Sequence, residues 1–451
     1  MFLKLKRSGK NRRRKHSIYK GCALKIKVAF ATLGCKVNQY ETMCMKSRCE
    51  KRGFYFTSIN EKADVYVING CCVTSRAAYE TRLLAKKAFQ NNKQAKVIVC
   101  GCPSYMQRER EMLKEIGVHF ILGHSYKHEI PDFILRALNG ESGVFADEGS
   151  KSYVDESVLC RFGNRARAFC KIEEGCNFHC TFCILPMVRG KERSKSIENV
   201  LKEIRCLVTS GHKEIVLTGT NIGSYRFGFK KLLKLVEQMD GEFRIRISSI
   251  EPVYIDDSLT DILKESKKIV NHMHIPLQSG SERILKLMGR PYRKEDYYDI
   301  AWRLSKLGIA LGTDVIVGFP TETDEDFEET RAFIENLPLQ YAHVFVYSRR
   351  ENTPAASLKG EVNGRIAKER SRIIRRIIAS KNYAFRKSLE GKKVEIITEP
   401  TEVLINGKVY RKGVSKEYVS VLVPSSIPPY EKIEVKISHA DYSFTFAELS
   451  Q

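Results

Sequence analysis

The chain has 451 residues, 43% of them hydrophobic and 29% charged, enough for roughly three domains with cores of their own. No apolar run approaches the ~20 residues that a helical bilayer crossing needs, so the composition argues against a membrane partner and for a soluble, cytoplasmic protein. A net charge of +24 and a pI near 9.4 favour a polyanionic partner such as nucleic acid. Residues 1–24 read as a basic, disordered extension: Lys4, Lys6, Arg7, Lys10, Arg12, Arg13, Arg14 and Lys15 come without an acidic neighbour, as in an RNA-binding arm or a solvated tail. From residue 25 to 140, strand-like segments (26–33, 64–69, 96–100) alternate with helical ones (41–52, 76–91), the pattern of a parallel-sheet α/β domain. A linker of mixed polarity follows at 141–166. Between 167 and 388, six short apolar strands (169–172, 214–217, 243–248, 272–275, 310–317, 342–347) separated by helices predict a partial (β/α)6 barrel. A long basic helix over 363–389 closes that unit. Residues 389–451 switch to short alternating strands (394–397, 418–423, 432–437), the signature of a small all-β barrel.

The fourteen cysteines follow no signal-peptide core, and several recur at metal-ligand spacing, so they read as reduced thiols. Cys176, Cys180 and Cys183 form a C-x3-C-x2-C run directly after the first barrel strand. Three thiolates on one loop hold three irons of a four-iron cluster and leave the fourth open to another ligand. A zinc site is the alternative, with His179 as a fourth ligand, although structural zinc prefers two separated ligand pairs. Cys35, Cys71 and Cys102 each follow a strand of the first domain, where open α/β sheets place ligand sites. Each alone reads as a buried structural cysteine, whereas the three repeated contexts together suggest a second metal site.

With these two sets of thiols the chain resembles the radical-SAM methylthiotransferase family, over nearly everything from residue 25 to 449. The resemblance implies an auxiliary cluster on Cys35, Cys71 and Cys102, an S-adenosylmethionine cluster on Cys176, Cys180 and Cys183, and a C-terminal TRAM barrel that binds RNA. It implies two 4Fe-4S clusters and S-adenosylmethionine as cofactors, and no classical acid or base at the reacting carbon. Cys72, beside Cys71, and Cys100, two before Cys102, remain alternative ligands. The segment Thr218-Gly219-Thr220 matches the family's contact to the amino-acid end of S-adenosylmethionine. Arg246, Glu251, His274 and Gln278 stand at the following strand ends, where Arg246 and Glu251 read equally as ion-paired residues across the barrel mouth. Gly318, in Gly318-Phe319-Pro320, matches a glycine that lets the adenine end approach.

Within the family, Thr32-Leu33-Gly34-Cys35-Lys36-Val37-Asn38-Gln39-Tyr40-Glu41-Thr42 resembles the MtaB-type branch, which acts on N6-threonylcarbamoyladenosine at tRNA position 37, beside the anticodon. It is less like the branch that acts on isopentenyladenosine, and least like the one that modifies a ribosomal protein. The resemblance implies tRNA, an electron donor and a sulfur source as partners. Arg365, Lys368, Arg370, Arg372, Arg375, Arg376, Lys381, Arg386 and Lys387 load the long helix with charge suited to phosphates. A non-catalytic, metal-stabilised RNA-binding module is the alternative from a different class.

Overall fold

The computed structural model describes residues 26–146 and 156–449; the expected basic extension 1–24 and part of the linker lie outside the described residues. The first domain is a six-stranded parallel sheet in the order β2-β1-β3-β4-β5-β6, built from β1 (Lys27–Thr32), β2 (Tyr55–Thr57), β3 (Val65–Gly70), β4 (Lys96–Gly101), β5 (Phe120–Leu122) and β6 (Gly143–Phe145). Every residue of β3 is buried, as expected of a parallel strand covered on both faces. Helices α1 (Lys36–Lys51) and α4 (Ile130–Leu138) pack one face, while α2 (Ser75–Asn91) and α3 (Gln107–Glu115) pack the other. The short strands β2, β5 and β6 escape a periodicity reading because three residues carry too little pattern, and β6 continues the sheet past residue 140.

The central unit carries six principal parallel strands: β7 (Arg167–Lys171), β10 (Glu214–Thr218), β11 (Arg244–Ile247), β12 (His272–His274), β13 (Ala310–Val317) and β14 (Leu339–Val346). The two-residue strands β8 (Glu173–Glu174) and β9 (Arg193–Ser194) form a separate ribbon. The ladder divides into two three-stranded halves, β7-β10-β11 and β12-β13-β14, joined by the single pairs Ile245–Ile269 and Ser249–His274. Helices α5 (Leu185–Arg189), α6 (Ile197–Thr209), α7 (Phe229–Glu237), α8 (Asp257–Glu265), α9 (Glu282–Leu287), α10 (Lys294–Lys306) and α11 (Asp324–Asn336) accompany the strands, and α12 (Gly364–Lys387) packs on β14. The partial barrel is therefore the expected one.

Between its first and last strands the barrel is covered by the first domain. Near β7, Lys171 pairs with Glu41 at 3.6 Å and Lys195 donates to the Tyr40 hydroxyl at 2.8 Å. Beyond β14, Arg350 donates to the Ser75 hydroxyl at 2.5 Å.

The C-terminal unit is a closed five-stranded barrel, β15-β16-β17-β19-β18, formed by β15 (Lys393–Ile405), β16 (Lys408–Ser415), β17 (Ser420–Pro424), β18 (Lys432–Ala440) and β19 (Thr445–Leu449). It caps the end of the central barrel at which the strands begin. Arg244 and Arg246, both bound to Glu214 at the start of β10, also donate to the carbonyls of Val414, Ser415 and Lys416.

One expectation fails. Cys160 and Cys206 form a disulfide rather than standing as free thiols. The linker is not loose there: Leu159 and Phe162 are buried in the barrel core on either side of Cys160 and fix it against α6, a proximity that a separation of 46 residues does not announce. Among the described residues no helix is long and apolar enough to cross a membrane.

Candidate active site

β1, β3 and β4 are adjacent in the sheet, and Cys35, Cys71 and Cys102 follow their C-terminal ends. Neighbouring strands lie about 4.8 Å apart, so consecutive strand ends bring the three thiols to one edge. Cys35 is exposed at the N-cap of α1, and its side chain caps no backbone group. Gly34 has φ +96°, and a Cβ there would lie 3.0 Å from Cys71 Sγ, so the turn that carries Cys35 depends on glycine to reach Cys71. Asn38 fastens the two loops by donating to the carbonyls of Leu33 at 2.7 Å and Gly70 at 3.1 Å. Burial, with Cys102 and Cys35 adding to it, pushes the Cys71 thiol up to about 12. The Cys72 thiol, higher still, hydrogen-bonds Cys102 and thereby lowers it. Cys72 is thus a partner of Cys102, whereas Cys100 lies in the core against Met45, 3.9 Å away.

In the barrel, Cys176, Cys180 and Cys183 share the loop between β8 and α5. Gly175 enters it at φ +93°, where a Cβ would stand 2.1 Å from the Lys191 carbonyl oxygen. Each end of the loop is pinned: Cys176 N donates to Gly190 O, Thr181 N to Met288 O, and Gly175 N to the Thr220 hydroxyl. Burial raises Cys176 to about 11 and Cys183 to about 12. The sulfurs of Cys176 and Cys180 already face N–H donors. Phe178 N lies 3.4 Å from Cys176 Sγ, and Arg290 Nη1 lies 3.2 Å from Cys180 Sγ. Arg290 is in turn held by Glu251. The His179 side chain, expected only if the loop held zinc, is exposed to solvent.

One side chain joins the two regions. Arg189 ends α5, six residues after Cys183, and is almost wholly buried. Its guanidinium donates to Glu41 at 2.9 Å and Asn38 at 2.5 Å in the first domain, and to Glu174 at 2.8 Å in the barrel. Burial would raise Glu41, but Arg189, Lys127 and Lys171 outweigh it and hold the carboxyl well below its usual range. Glu41, His124 and Glu174 converge as metal ligands would, yet these cations already neutralise the carboxylates.

The remaining expected residues separate by location. Thr218 is buried at the end of β10, and Gly219 and Thr220 lie beside the cysteine loop, where a Cβ on Gly219 would stand 2.6 Å from Glu173 Oε2. Burial raises the Glu173 carboxyl to about 8, against hydrogen bonds from Asn221 and Thr220. Glu251 reaches the loop through Arg290. Gln278 adopts φ +68°, a conformation few non-glycine residues take, and exchanges backbone bonds with β13. His274 binds the Tyr341 hydroxyl at 2.9 Å and Asp314 at 3.2 Å on the barrel's inner face. Arg246 departs from the expectation, because Glu214 and the C-terminal barrel take its donors at the opposite end from the cysteines. Gly318 also has another reason to be glycine: φ is +71°, and a Cβ would meet Ala367 of α12 at 2.6 Å.

Family models match residues 27–123, as "Uncharacterized protein family UPF0004", and residues 171–334, as the radical SAM superfamily. The chain is 38% identical to the threonylcarbamoyladenosine tRNA methylthiotransferase MtaB of Bacillus subtilis, covering 92% of this chain and 95% of that one. The chain belongs to the radical-SAM methylthiotransferase family. The Aquifex aeolicus MtaB is 35% identical over 88% of this chain and 99% of its own. A tRNA-2-methylthio-N(6)-dimethylallyladenosine synthase of Oceanobacillus iheyensis is 31% identical, covering 83% of this chain and 74% of that one. Among solved structures, the radical S-adenosylmethionine methyltransferase TsrM of Kitasatospora setae shares the fold, with a TM-score of 0.58 at 14% identity over 74% of this chain and 77% of that one. As a radical-SAM methylthiotransferase the chain is an enzyme that uses S-adenosylmethionine and two four-iron clusters.

Sequence reading missed Arg189, Arg290 and Asn38, which touch or fasten the methylthiotransferase loops. Arg290 carried a faint signal, a single arginine after Gly289 in a turn; Asn38 stands in the Thr32–Thr42 segment that resembles the family but without a role of its own there, and Arg189 carried no signal without the fold. The long helix also differs from expectation. Arg370 is buried on Glu322 and Asp324, and Arg386 on the carbonyls of Asp441, Tyr442 and Phe444, whereas Arg365, Lys368, Arg372, Arg375, Arg376 and Lys387 are exposed.

Proposed function

We propose that this methylthiotransferase acts in the cytoplasm on tRNA, converting N6-threonylcarbamoyladenosine at position 37 to its 2-methylthio derivative. The observation that carries the reading is the pairing of two cysteine triads on facing domains in a chain closely related to MtaB enzymes along nearly its whole length. Cys176, Cys180 and Cys183 hold the cluster that binds S-adenosylmethionine, and Cys35, Cys71 and Cys102 hold the auxiliary cluster. The donor sets fit: each is three thiols at one edge or on one loop, and three thiolates hold three irons of a four-iron cluster. When bound, these groups supply the radical that removes the C2 hydrogen and the methylated sulfur that replaces it.

The protein's own part is to place and shield. Iron binding displaces the protons that burial keeps on Cys71, Cys176 and Cys183. Arg290 and the Phe178 amide stabilise negative charge on the loop sulfurs, a second layer of contacts that tunes a cluster. Arg189 fixes the spacing between the triads. Thr218, Gly219 and Thr220 border the loop where the amino-acid end of S-adenosylmethionine would lie, with Glu251, His274 and Gln278 across the mouth. The closed β-barrel serves as an RNA-binding TRAM domain, and the exposed cations of α12 extend that surface to phosphates. Electrons and sulfur come from outside partners.

Mass spectrometry of nucleosides from total tRNA of cells with and without this gene tests the reading. Deletion is expected to remove 2-methylthio-N6-threonylcarbamoyladenosine. Loss of the isopentenyl counterpart instead would overturn the substrate, and no change in either would overturn the reading.

A further inference from the structure

Tyr442, in the turn between β18 and β19, is 71% exposed, and its ring stacks on Tyr383 of α12 with centroids 4.3 Å apart and planes 15° from parallel. Tyr383 covers one face of that ring, so an exposure this high leaves the other face open to solvent. The turn itself is held firmly. Arg386 donates to the carbonyls of Asp441 at 2.7 Å, Tyr442 at 2.9 Å and Phe444 at 2.9 Å, and the Asp441 carboxylate accepts from the backbone N–H groups of Ser443 and Phe444, each at 2.7 Å. Arg386 is buried and lies over the Tyr383 ring, 5.9 Å from its centroid. One helix therefore fixes the turn with an arginine and backs its ring with a tyrosine. An open aromatic face adds nothing to a core, whereas a rigid one is a surface on which an unpaired base stacks.

The approach to this ring is basic. Arg365, Lys368, Arg372, Arg376 and Lys387 are exposed on α12, and at 3.6 residues per turn they fall with Tyr383 within an arc of about 100°. Arg372 pairs with Glu369 and Lys387 with Glu390, and the other three leave the face with a positive surplus. The helix starts on the cysteine side of the barrel, where Arg370 binds Glu322 beyond β13, and its 24 residues carry it about 36 Å to the C-terminal barrel. Apart from Ala379 the arc holds no aliphatic side chain, unlike the apolar centre of a protein interface. A row of cations that tracks a backbone, ending at an aromatic face that accepts any base, combines the two parts of a site for unpaired nucleic acid.

We propose that Tyr442, backed by Tyr383, is a stacking site for an unpaired base of the tRNA, set at the end of the α12 cation row. The inference rests on the tRNA reading above and adds a place where the RNA is gripped by a base rather than by its phosphates. The site lies at the opposite end of the barrel from the cysteine triads, so it anchors the RNA away from the reacting adenosine and takes no part in the chemistry.

Equilibrium binding of the full-length holoenzyme to tRNA tests this, with an RNA duplex of similar length and no unpaired base as the control probe. Tyr442→Ala is expected to weaken tRNA binding by about tenfold, the size of one base stack, while leaving the duplex unaffected. Tyr442→Trp is expected to keep the affinity, and the salt dependence in Tyr442→Ala is expected to match the wild type because no phosphate contact is lost. The indole of Tyr442→Trp also reports directly, in a variant that keeps an aromatic ring in the turn: against a wild type whose single tryptophan is Trp302, its fluorescence is expected to be quenched by tRNA and not by duplex. Undiminished tRNA affinity in Tyr442→Ala, an equal loss on the duplex, or an unquenched indole overturns the proposal while leaving the tRNA reading intact. A wild type that binds tRNA no better than duplex, with tRNA nucleosides unchanged on deletion of the gene, overturns the tRNA reading and the proposal with it.

Discussion

Cys176, Cys180 and Cys183 lie on one loop of eight residues, whereas Cys35, Cys71 and Cys102 arrive from three strands spread over sixty-eight positions of the chain. The loop triad is shaped by local geometry: Gly175 makes the turn, and backbone N–H groups address the sulfurs. The strand-end triad owes its convergence to sheet order, and its neighbours are polar groups recruited from elsewhere, Asn38 between two loops and His124 at 3.8 Å from Cys102. A loop site survives changes far from it. A site assembled from a sheet edge depends on whatever holds the edge in register, and here that includes Arg189 from the other domain.

The sharpest way to break that difference is Arg189→Met. It removes the guanidinium that Glu41 and Glu174 share and leaves them to Lys127, Lys171 and Arg193, a change that costs on the order of 1.5–3 kcal/mol. The exposed pair Arg76–Glu80 serves as a control, since removing Arg76 is expected to cost less than about 1 kcal/mol. Denaturant unfolding measures both, and iron analysis of Arg189→Met is expected to show larger loss from the strand-end triad than from the loop triad. Equal loss from the two would remove the contrast.

The same contrast explains what the sequence disclosed. The C-x3-C-x2-C loop is written in consecutive residues, and the regular alternation around β1, β3, β4 and the six barrel strands carries the fold. What stayed hidden depends on tertiary contacts. Arg246 sits at a strand end in the sequence yet turns back to Glu214 and the C-terminal barrel, because β11 begins beside β10's buried carboxylate. Arg370 and Arg386 look like any other cations of a basic helix, but their faces of α12 are buried. Gly318 matches a family glycine, while its neighbour Ala367 belongs to a helix 49 residues on.

At the opposite end of the barrel, acid offers a smaller perturbation. Burial would raise the Glu214 carboxyl, but Arg246, Arg244 and Arg167 hold it well below its usual range. A carboxyl lowered in the folded state stabilises fully above the unfolded value of about 4.3 and loses that contribution as pH falls through this range towards the folded one. Docking of the C-terminal barrel is therefore expected to weaken below about pH 4, and Glu214→Gln to weaken it at neutral pH; limited proteolysis after residue 389 reads both. Unchanged protection in Glu214→Gln would show that the contact carries no docking energy.

The smallest effect separates the two kinds of cation on α12. Replacing exposed Lys368 and Arg376 together is expected to reduce the salt dependence of tRNA binding by roughly one unit of slope for each phosphate left without its cation, with stability unchanged. Replacing buried Arg370 is expected to destabilise the fold without that change in slope. Filter binding across a salt series, paired with thermal unfolding, distinguishes them.

The division of labour between the triads is tested most directly by measuring 5′-deoxyadenosine and methylthio-nucleoside together in reduced, reconstituted enzyme. Cys176→Ala is expected to lose both products, whereas Cys71→Ala is expected to keep forming 5′-deoxyadenosine and lose the methylthio product. If both variants cleave S-adenosylmethionine equally, or Cys71→Ala still yields the methylthio-nucleoside, the assignment of the two triads to separate tasks is contradicted.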